Sequence, residues 1–536
     1  MLPSTDQNNI TTQKFVIAID VGTSRTKIGL VNQDGKVVSY STHSYPTHIL
    51  PMGGVEQNPM EWWHAVSSGV KQVVKESGIN SENIVAIGVT SQWSVSVAVD
   101  ERGEPLMNAI SWMDTRGSKY NAQVVKGFPS MQGYGLRKLY KWVKIVGATP
   151  QLGGSDTTAH MLYIKNELPE IYRKTFKFLE PMDFINMRLT GKANATQNSN
   201  VATLLIDNRP NGTRDYNPWA LAESGIDRQK LPDLLPVEGI VGNLQETIAR
   251  DWGLSPKTIV ITSAGDNSVA PIGSGALADY EAVAVLGTSG MLVLHVPYKK
   301  TDLIKFIFTF PSALNNRYLL WADTGNTGKV IDSFLNNLVF GQDAFNTGDV
   351  PEDVYTRLNQ AAAQVDAGSE GVLFLPWFSG GALVPSNDQF LRGGFINISN
   401  STTRNHLARA VLEGIAYNWR WLKDSAEAFM KYKFPYWHLS GGGAISEVWA
   451  QIMADVLGIP IHQQDNPSHN TLLGIGFLAF NRLGLMALDE IPSKIRIRRI
   501  FEPNLKNQEI YDRMYAQFRM STKQLKSIFH TLNKPT

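Results

Sequence analysis

The sequence contains no cysteine. That excludes disulfides, zinc thiolate sites, iron–sulfur clusters and thiol nucleophiles. It also lacks any apolar run near the ~18 uninterrupted residues of a membrane span. Met1 to Gln13 is polar and has no apolar signal core. No sign of charge dominates: 50 Lys and Arg stand against 48 Asp and Glu, a net charge of +2. That balance gives no support to a nucleic-acid or membrane-surface role. The 10 histidines are scattered, with no His-Glu-x-x-His helix and therefore no histidine metal site. No Gly-x-Ser-x-Gly elbow sits in a strand–turn–helix context. These absences lead us to expect a cytoplasmic protein with a disordered start over residues 1–14.

What is present is ordinary globular chain, 43% hydrophobic and 18% charged. At 536 residues it is too long for one hydrophobic core. The opening reads as a meander. A strand over Phe15–Ile19 meets the turn Asp20-Val21-Gly22-Thr23-Ser24, a strand follows over Ile28–Val31, and Asn32-Gln33-Asp34-Gly35 closes a hairpin before Val37–Tyr45. Asn58-Pro59 starts a helix, with Asn58 as cap and Pro59 in the first position. Further strands are expected over 84–89, 95–99 and 258–261, around a mainly helical stretch from about Ser118 to Ala249. The opening pattern then recurs: strand Ala282–Leu286, turn Gly287-Thr288-Ser289-Gly290, strand Met291–Val296. Two Gly-Thr-Ser turns between paired strands suggest duplicated lobes. Leu407, Val411, Ile415 and Trp419 form one helical stripe, and Trp449, Ile452, Met453, Val456 and Leu457 another. A helix is expected after Asn507, and the run Lys494–Arg499 reads as an edge strand with a solvated basic face.

Several turns carry residues suited to chemistry. In Asp20–Ser24, Gly22 permits close approach to an anion, Thr23 and Ser24 supply donors, and Lys27 adds positive charge. A carboxylate such as Asp20 at a strand end can hold Mg²⁺, usually through water. A strand follows this turn, so it is not the common P-loop, and it reads equally as a plain hairpin turn. Ser440-Gly441-Gly442-Gly443-Ala444 leads into a helix beginning near Ser446; a flat adenine or ribose suits such a backbone, as does a tight structural turn. Gly265-Asp266-Asn267 follows a strand, where a cleft usually opens, and an Asp there can accept a hydroxyl proton; a helix cap is the plainer alternative. Ser91-Gln92-Trp93-Ser94 and Trp112-Met113-Asp114-Thr115-Arg116 combine aromatic, amide, carboxylate and guanidinium groups suited to a polyol, or to an internal Asp114–Arg116 ion pair.

The order of these motifs resembles the FGGY carbohydrate kinases of the actin and hexokinase-like superfamily, over nearly the whole chain. The matching stretches are IAIDVGTSRTKIGLV at 17–31, GGVEQNPMEWW at 53–63, ISWMDTRG at 110–117 and PMDFINMRLTG at 181–191. They continue with SAGDNSVAPIGSG at 263–275, VLGTSGM at 285–291, FLRGGF at 390–395, LARAVLEGIAYN at 407–418 and LSGGGAISEVWAQIMADVLGIPI at 439–461. The resemblance implies an α/β fold of two actin-like, ribonuclease H-like lobes, 15–265 and 266–536, with a cleft between them. It implies ATP and Mg²⁺ as cofactors and a small sugar as partner, with a homodimer admitted. It places the metal at Asp20 and the catalytic base at Asp266. The nucleotide falls at Thr23, Ser24, Lys27, Gly287, Thr288, Gly442, Gly443 and Ser446, and the sugar at Gln92, Trp93, Asp114, Asp266 and Asn267.

The departures fall mainly around substrate recognition. Xylulokinases carry Gly-Gln-Met-His-Gly where this chain has Ser91-Gln92-Trp93-Ser94-Val95. Gly380-Gly381-Ala382 replaces Gly-Glu-Arg, Asn397 replaces a common Gly, and Asn200 replaces a frequent Asp. The expectation is therefore a kinase acting on a hydroxyl of a ketose or related polyol, with D-xylulose not the preferred one. The alternative from another class is a non-catalytic actin-like nucleotide-binding or regulatory protein, which would have no need of Asp266.

Overall fold

The structure is a computed structural model, and it describes residues 13–344, 346–378, 380–381 and 388–534. Its frame is two mixed sheets. The first runs in the order Ile240–Asn243, Ile259–Ile261, Ile84–Ser91, Phe15–Val21, Arg25–Asn32, Val37–Ser44, with Ala264–Gly265 also paired to Ile84–Ser91. The second runs Thr301–Asp302, Ile307–Pro311, Tyr318–Asp323, Gly290–Val296, Ala282–Leu286, Trp437–Ser440, Ile461–Gln464, Ile497–Phe501.

The two sheets share one plan. Phe15–Val21 pairs antiparallel with the strand that follows it and parallel with Ile84–Ser91. Ala282–Leu286 pairs antiparallel with Gly290–Val296 and parallel with Trp437–Ser440. In each sheet a further parallel strand and an antiparallel edge complete that side. The repeated Gly-Thr-Ser turns thus join equivalent strand pairs, and the duplication expected from them is a property of the whole topology. This is the two-lobed actin-like α/β architecture.

Local rules account for the elements. Every residue of Phe15–Val21 is buried, as suits a central strand covered on both faces. Val37–Ser44 alternates burial as an outer strand does. Asn58 accepts the Met60 N–H at 2.9 Å and caps the helix Pro59–Ser77, which Gly78 ends in the left-handed conformation. The two apolar stripes lie on the helices Arg404–Met430 and Glu447–Leu457 and are buried, as expected. The helix Gln508–Asn533 packs on the second sheet's core through Tyr511, Met514 and Phe518. The basic run is an edge strand only from Ile497, in Ile497–Phe501, since Lys494 ends the short helix Ile491–Lys494; Arg498 and Arg499 are both paired to Glu447. Gln13 and Lys14 are hydrogen-bonded to Asp34 and Gln33. No helix among the described residues is long and apolar enough to cross a membrane.

One packing contact positions the site. The helix Asn470–Arg482, late in the chain, lies on the first sheet against the helix Asp266–Gly273. They meet backbone to backbone. A Cβ on Gly273 would stand 1.8 Å from the Asn470 carbonyl oxygen, and one on Gly474 would stand 2.0 Å from that of Val269. Gly474→Ala should therefore force these helices apart, costing about 1–3 kcal/mol of overpacking strain and lowering the thermal midpoint. Gly394→Ala, where a Cβ meets nothing within 4 Å, is the control and should be near neutral. Equal midpoints for the two variants would show that the contact is not tight.

Candidate active site

The first turn is held from three sides. Gly22 N–H bonds the Arg25 carbonyl at 3.1 Å, closing the turn. Gln57 donates to the Thr23 carbonyl at 2.6 Å. The Thr23 hydroxyl donates to Gln92 Oε1 at 3.0 Å and accepts from Trp112 Nε1 at 3.2 Å, while Gln92 Nε2 donates to Gln57 Oε1 at 2.8 Å. The backbone N–H groups of Thr23 and Ser24 have no protein acceptor among the described residues. Side chains thus fix the turn while two amides are left unpaired among the described residues, as an anion cradle requires.

The second turn repeats this. Gly287 N–H bonds the Ser289 carbonyl at 3.1 Å, and the N–H groups of Thr288 and Ser289 lack protein acceptors among the described residues. Its carbonyls are held instead: Gly328 N–H reaches Gly287 at 3.0 Å and Lys329 N–H reaches Thr288 at 2.9 Å. The triple glycine packs on the same strand end. Gly441 has φ +89, and a Cβ there would meet the Leu286 carbonyl at 2.8 Å, so close backbone approach demands glycine. A Cβ on Gly442 meets nothing within 4 Å, so this residue borders open space. Ser446 caps the helix Glu447–Leu457: its hydroxyl accepts from Trp449 N–H at 3.0 Å and donates to Asn359 at 2.7 Å.

Two carboxylates and one ammonium stand together beside the first turn. Asp20 and Lys27 are directly opposed across the first strand pair, with Nζ 3.4 Å from Oδ2. The same Oδ2 accepts from Thr471 at 2.7 Å. Asp266 opens its helix, and its Oδ1 accepts from Asn267 N–H at 2.7 Å. Burial chiefly, and the Asp20 charge next, push its pKa up to about 7, against the pull of the Asn267 amide and of Lys27. The three groups therefore feel one another. Trp93 packs beneath them: a Cβ on Gly265 would stand 1.9 Å from its ring, and the indole touches apolar residues of both sheets. Trp93 Nε1 is buried without a protein partner among the described residues.

Other expected contacts turn inward. Both Asp114 oxygens are engaged: Oδ2 accepts from Val55 N–H at 2.8 Å and from Arg116 Nε at 2.9 Å, and Oδ1 from Arg116 N–H at 2.9 Å. This is the internal ion pair, extended to Glu56 at 2.7 Å. The Gln92 amide is spent on the Thr23 turn, as described. The Ser94 hydroxyl donates to the Ser155 carbonyl at 2.7 Å. Ala382 lies outside the described residues.

Four participants escaped the sequence. Thr471 lies far along the chain from Asp20, so no local pattern joins them. Gln57 sits inside a quoted motif, yet its role appears only with its bonds. Glu180, buried and with its proton affinity raised by that burial, accepts from Val95 N–H at 3.0 Å and supports the loop carrying Trp93. Asp323 ends a strand beside the second turn, and burial pushes its pKa up to about 6.

A two-lobed actin-like fold, carrying two turns of one plan and a carboxylate pair, has the form of a phosphotransferase. The chain matches the N-terminal domain of the FGGY family of carbohydrate kinases over residues 15–273. It matches that family's C-terminal domain over residues 282–481. It is 30% identical over 525 residues to a xylulose kinase of Staphylococcus epidermidis, covering 96% of this chain and 98% of that protein. The solved structure of a ligand-bound xylulose kinase from Lactobacillus acidophilus superposes with a TM-score of 0.82 at 24% identity, over 97% of this chain and all of that one. A gluconate kinase structure from the same species gives the same score and identity. The chain belongs to the FGGY family of carbohydrate kinases and is an ATP-dependent sugar kinase. The non-catalytic alternative finds no support.

Thr471 offers a direct check of the carboxylate cluster. A hydrogen bond to a charged group contributes about 1.5–3 kcal/mol. Thr471→Val should lower kcat/KM about tenfold or more, and Thr471→Ser should retain most activity. Unchanged kinetics in the valine variant would remove Thr471 from the site.

Proposed function

We propose that this kinase transfers the γ-phosphoryl group of ATP to a primary hydroxyl of an open-chain ketose or related polyol of the xylulose type. The observation that carries the proposal is Asp266, a carboxylate of raised proton affinity within the influence of Asp20 and Lys27. The free amides of Thr23, Ser24, Thr288 and Ser289 receive the phosphate oxygens, with Lys27 adding charge. Gly442 and Gly443 border the adenosine, where Ser446 acts by capping the adjoining helix. The sugar lies against Trp93 with its hydroxyl at Asp266 and Asn267. Gln92 positions the Thr23 turn, and Asp114 positions its own loop through Arg116. The lobes, divided at 265/266, close around the ligands and exclude water, which would otherwise compete as acceptor. The setting is cytoplasmic, where both ATP and sugar are supplied.

In the transfer, the acceptor oxygen forms its bond to γ-phosphorus as the bond to the bridging oxygen of ADP breaks. Asp266 orients the hydroxyl and takes its proton, a late event in phosphoryl transfer. The donor set fits Mg²⁺: Asp20 bonds the protein through Oδ2 only, leaving Oδ1 for an ion that keeps most of its waters. Mg²⁺, when bound, offsets the phosphate charge.

Asp266→Asn should reduce sugar-dependent ADP formation about 100- to 10,000-fold and leave nucleotide affinity within a few-fold. It should also raise the thermal midpoint at pH 8. The folded protein binds a proton at Asp266 that the unfolded chain releases near pH 3.8, so stability falls as pH rises from there to about 7. The asparagine variant lacks that loss. Near wild-type turnover would strip Asp266 of its role.

Trp93 narrows one wall and offers a single unpaired N–H. A site that pairs some hydroxyls and not others discriminates strongly. Across a panel of ketopentoses, ketohexoses, polyols and aldonates, a substrate of different stereochemistry or length should surpass D-xylulose. Trp93→Met should move the kcat/KM ratio toward D-xylulose by about tenfold. A wild-type preference for D-xylulose over the whole panel would overturn this assignment.

A further inference from the structure

Away from the carboxylate cluster, and sharing none of its residues, lies a cavity of about 440 Å³. One wall comes from the chain before Asp266, including Gln197, Arg214 and Glu238; the other comes after it, including Asn315, Asn316 and Arg317. The two halves of the chain also bond across this face, with Lys299 Nζ on the Val143 carbonyl at 2.7 Å and Tyr318 OH on the Asn208 carbonyl at 2.9 Å. The size is that of a small-molecule site.

Its charge is unevenly answered. Among the groups lining it, three are guanidinium, from Arg209, Arg214 and Arg317, and one is a carboxylate, Glu238. Arg209 is neutralised by Asp207 through two bonds, at 2.8 and 2.5 Å. Arg317 stands 3.9 Å from Asp279. Among the described residues Arg214 is held only by amide oxygens, Asn315 at 3.1 Å and Asn316 at 2.6 Å, which aim the guanidinium without cancelling its charge. Glu238 acts by its charge on Arg482, a buried arginine whose Nε and Nη2 have no protein partner among the described residues. Guanidinium groups of this kind match phosphate and carboxylate oxygens, and the neighbouring amides suit hydroxyl groups.

The cavity is wired to the reaction centre by one side chain. Asn198 is fully buried. Its Oδ1 accepts from Gly265 N–H at 3.1 Å, just before Asp266. Its Nδ2 donates to Ser268 at 2.8 Å and to the Pro311 carbonyl at 2.8 Å. Pro311 lines the cavity, as does Gln197 beside Asn198. We propose that this cavity is a regulatory site for a small phosphorylated polyol, bound between Arg214 and Arg317 and coupled to Asp266 through Asn198. A ligand that bridges both halves of the chain has different affinity for their open and closed arrangements. It must therefore change, and be changed by, binding in the main cleft.

The test is isothermal titration of the full chain, without nucleotide or acceptor sugar, using ribose 5-phosphate and, separately, inorganic phosphate. Ribose 5-phosphate should bind about tenfold or more tightly than inorganic phosphate, and Arg214→Ala should weaken it about tenfold or more. In kinetics, ribose 5-phosphate should alter the sugar KM about fivefold or more in wild type and not in Arg214→Ala. Without effector, the variant should keep kcat/KM within about twofold. Binding unaffected by Arg214→Ala, or none at millimolar concentration, overturns the site. Equal affinity for inorganic phosphate overturns the polyol. The calorimetry needs no turnover, so its outcome is independent of the acceptor assigned above.

Discussion

Two carboxylates far apart in the chain, Asp20 and Asp266, have to share one poorly hydrated point with a single ammonium, Lys27. Like charges at such a point raise proton affinity, and an opposite charge lowers it. The arrangement divides the burden. Asp20 takes the Lys27 and Thr471 contacts. Asp266 keeps one backbone N–H, and burial raises its proton affinity. In the transfer proposed above, that asymmetry gives two similar side chains different work, one toward phosphate charge and one toward a hydroxyl proton.

Much of the surrounding structure serves this constraint. Asp20 sits at the end of a strand buried along its whole length, so it cannot drift. Asp266 begins a helix that glycine contacts lock against Asn470–Arg482, and the same second helix delivers Thr471. Trp93 fills the floor under Gly265 and touches apolar residues of both sheets. The duplicated topology supplies two equivalent turns with free amides. A change in how the halves meet is then felt at the carboxylates, which is why a cavity spanning them is placed to regulate.

The sequence made legible what is local and periodic. The strand–turn–strand meanders, the Asn58 cap, the helical stripes and the edge strand all follow from spacing and turn chemistry, and they stand in the structure. The Gly-Thr-Ser repeat also disclosed the duplication, because each copy sits between the same strand pair. Contacts joining distant segments were not legible. Nothing near Asp20 announces Thr471, and nothing in Ser91–Ser94 shows that Gln92 spends its amide on Thr23 while Trp93 keeps its N–H free. Asp114 illustrates the ambiguity best: its residues suited a polyol or an ion pair, and only the geometry of Arg116, Glu56 and Val55 distinguishes them. Ser446 matched a nucleotide motif and proves to be a helix cap.

The central claim is that Asp266 works as a base with proton affinity raised by burial and by Asp20. The pH dependence of kcat/KM for the best acceptor sugar tests it most directly, since that ratio reports groups in the free enzyme. Protonation of Asp266 removes the base, so activity should fall as pH drops through about 7. An acid limb centred near the ordinary aspartate value of about 4, with full activity at pH 5.5, would contradict the account.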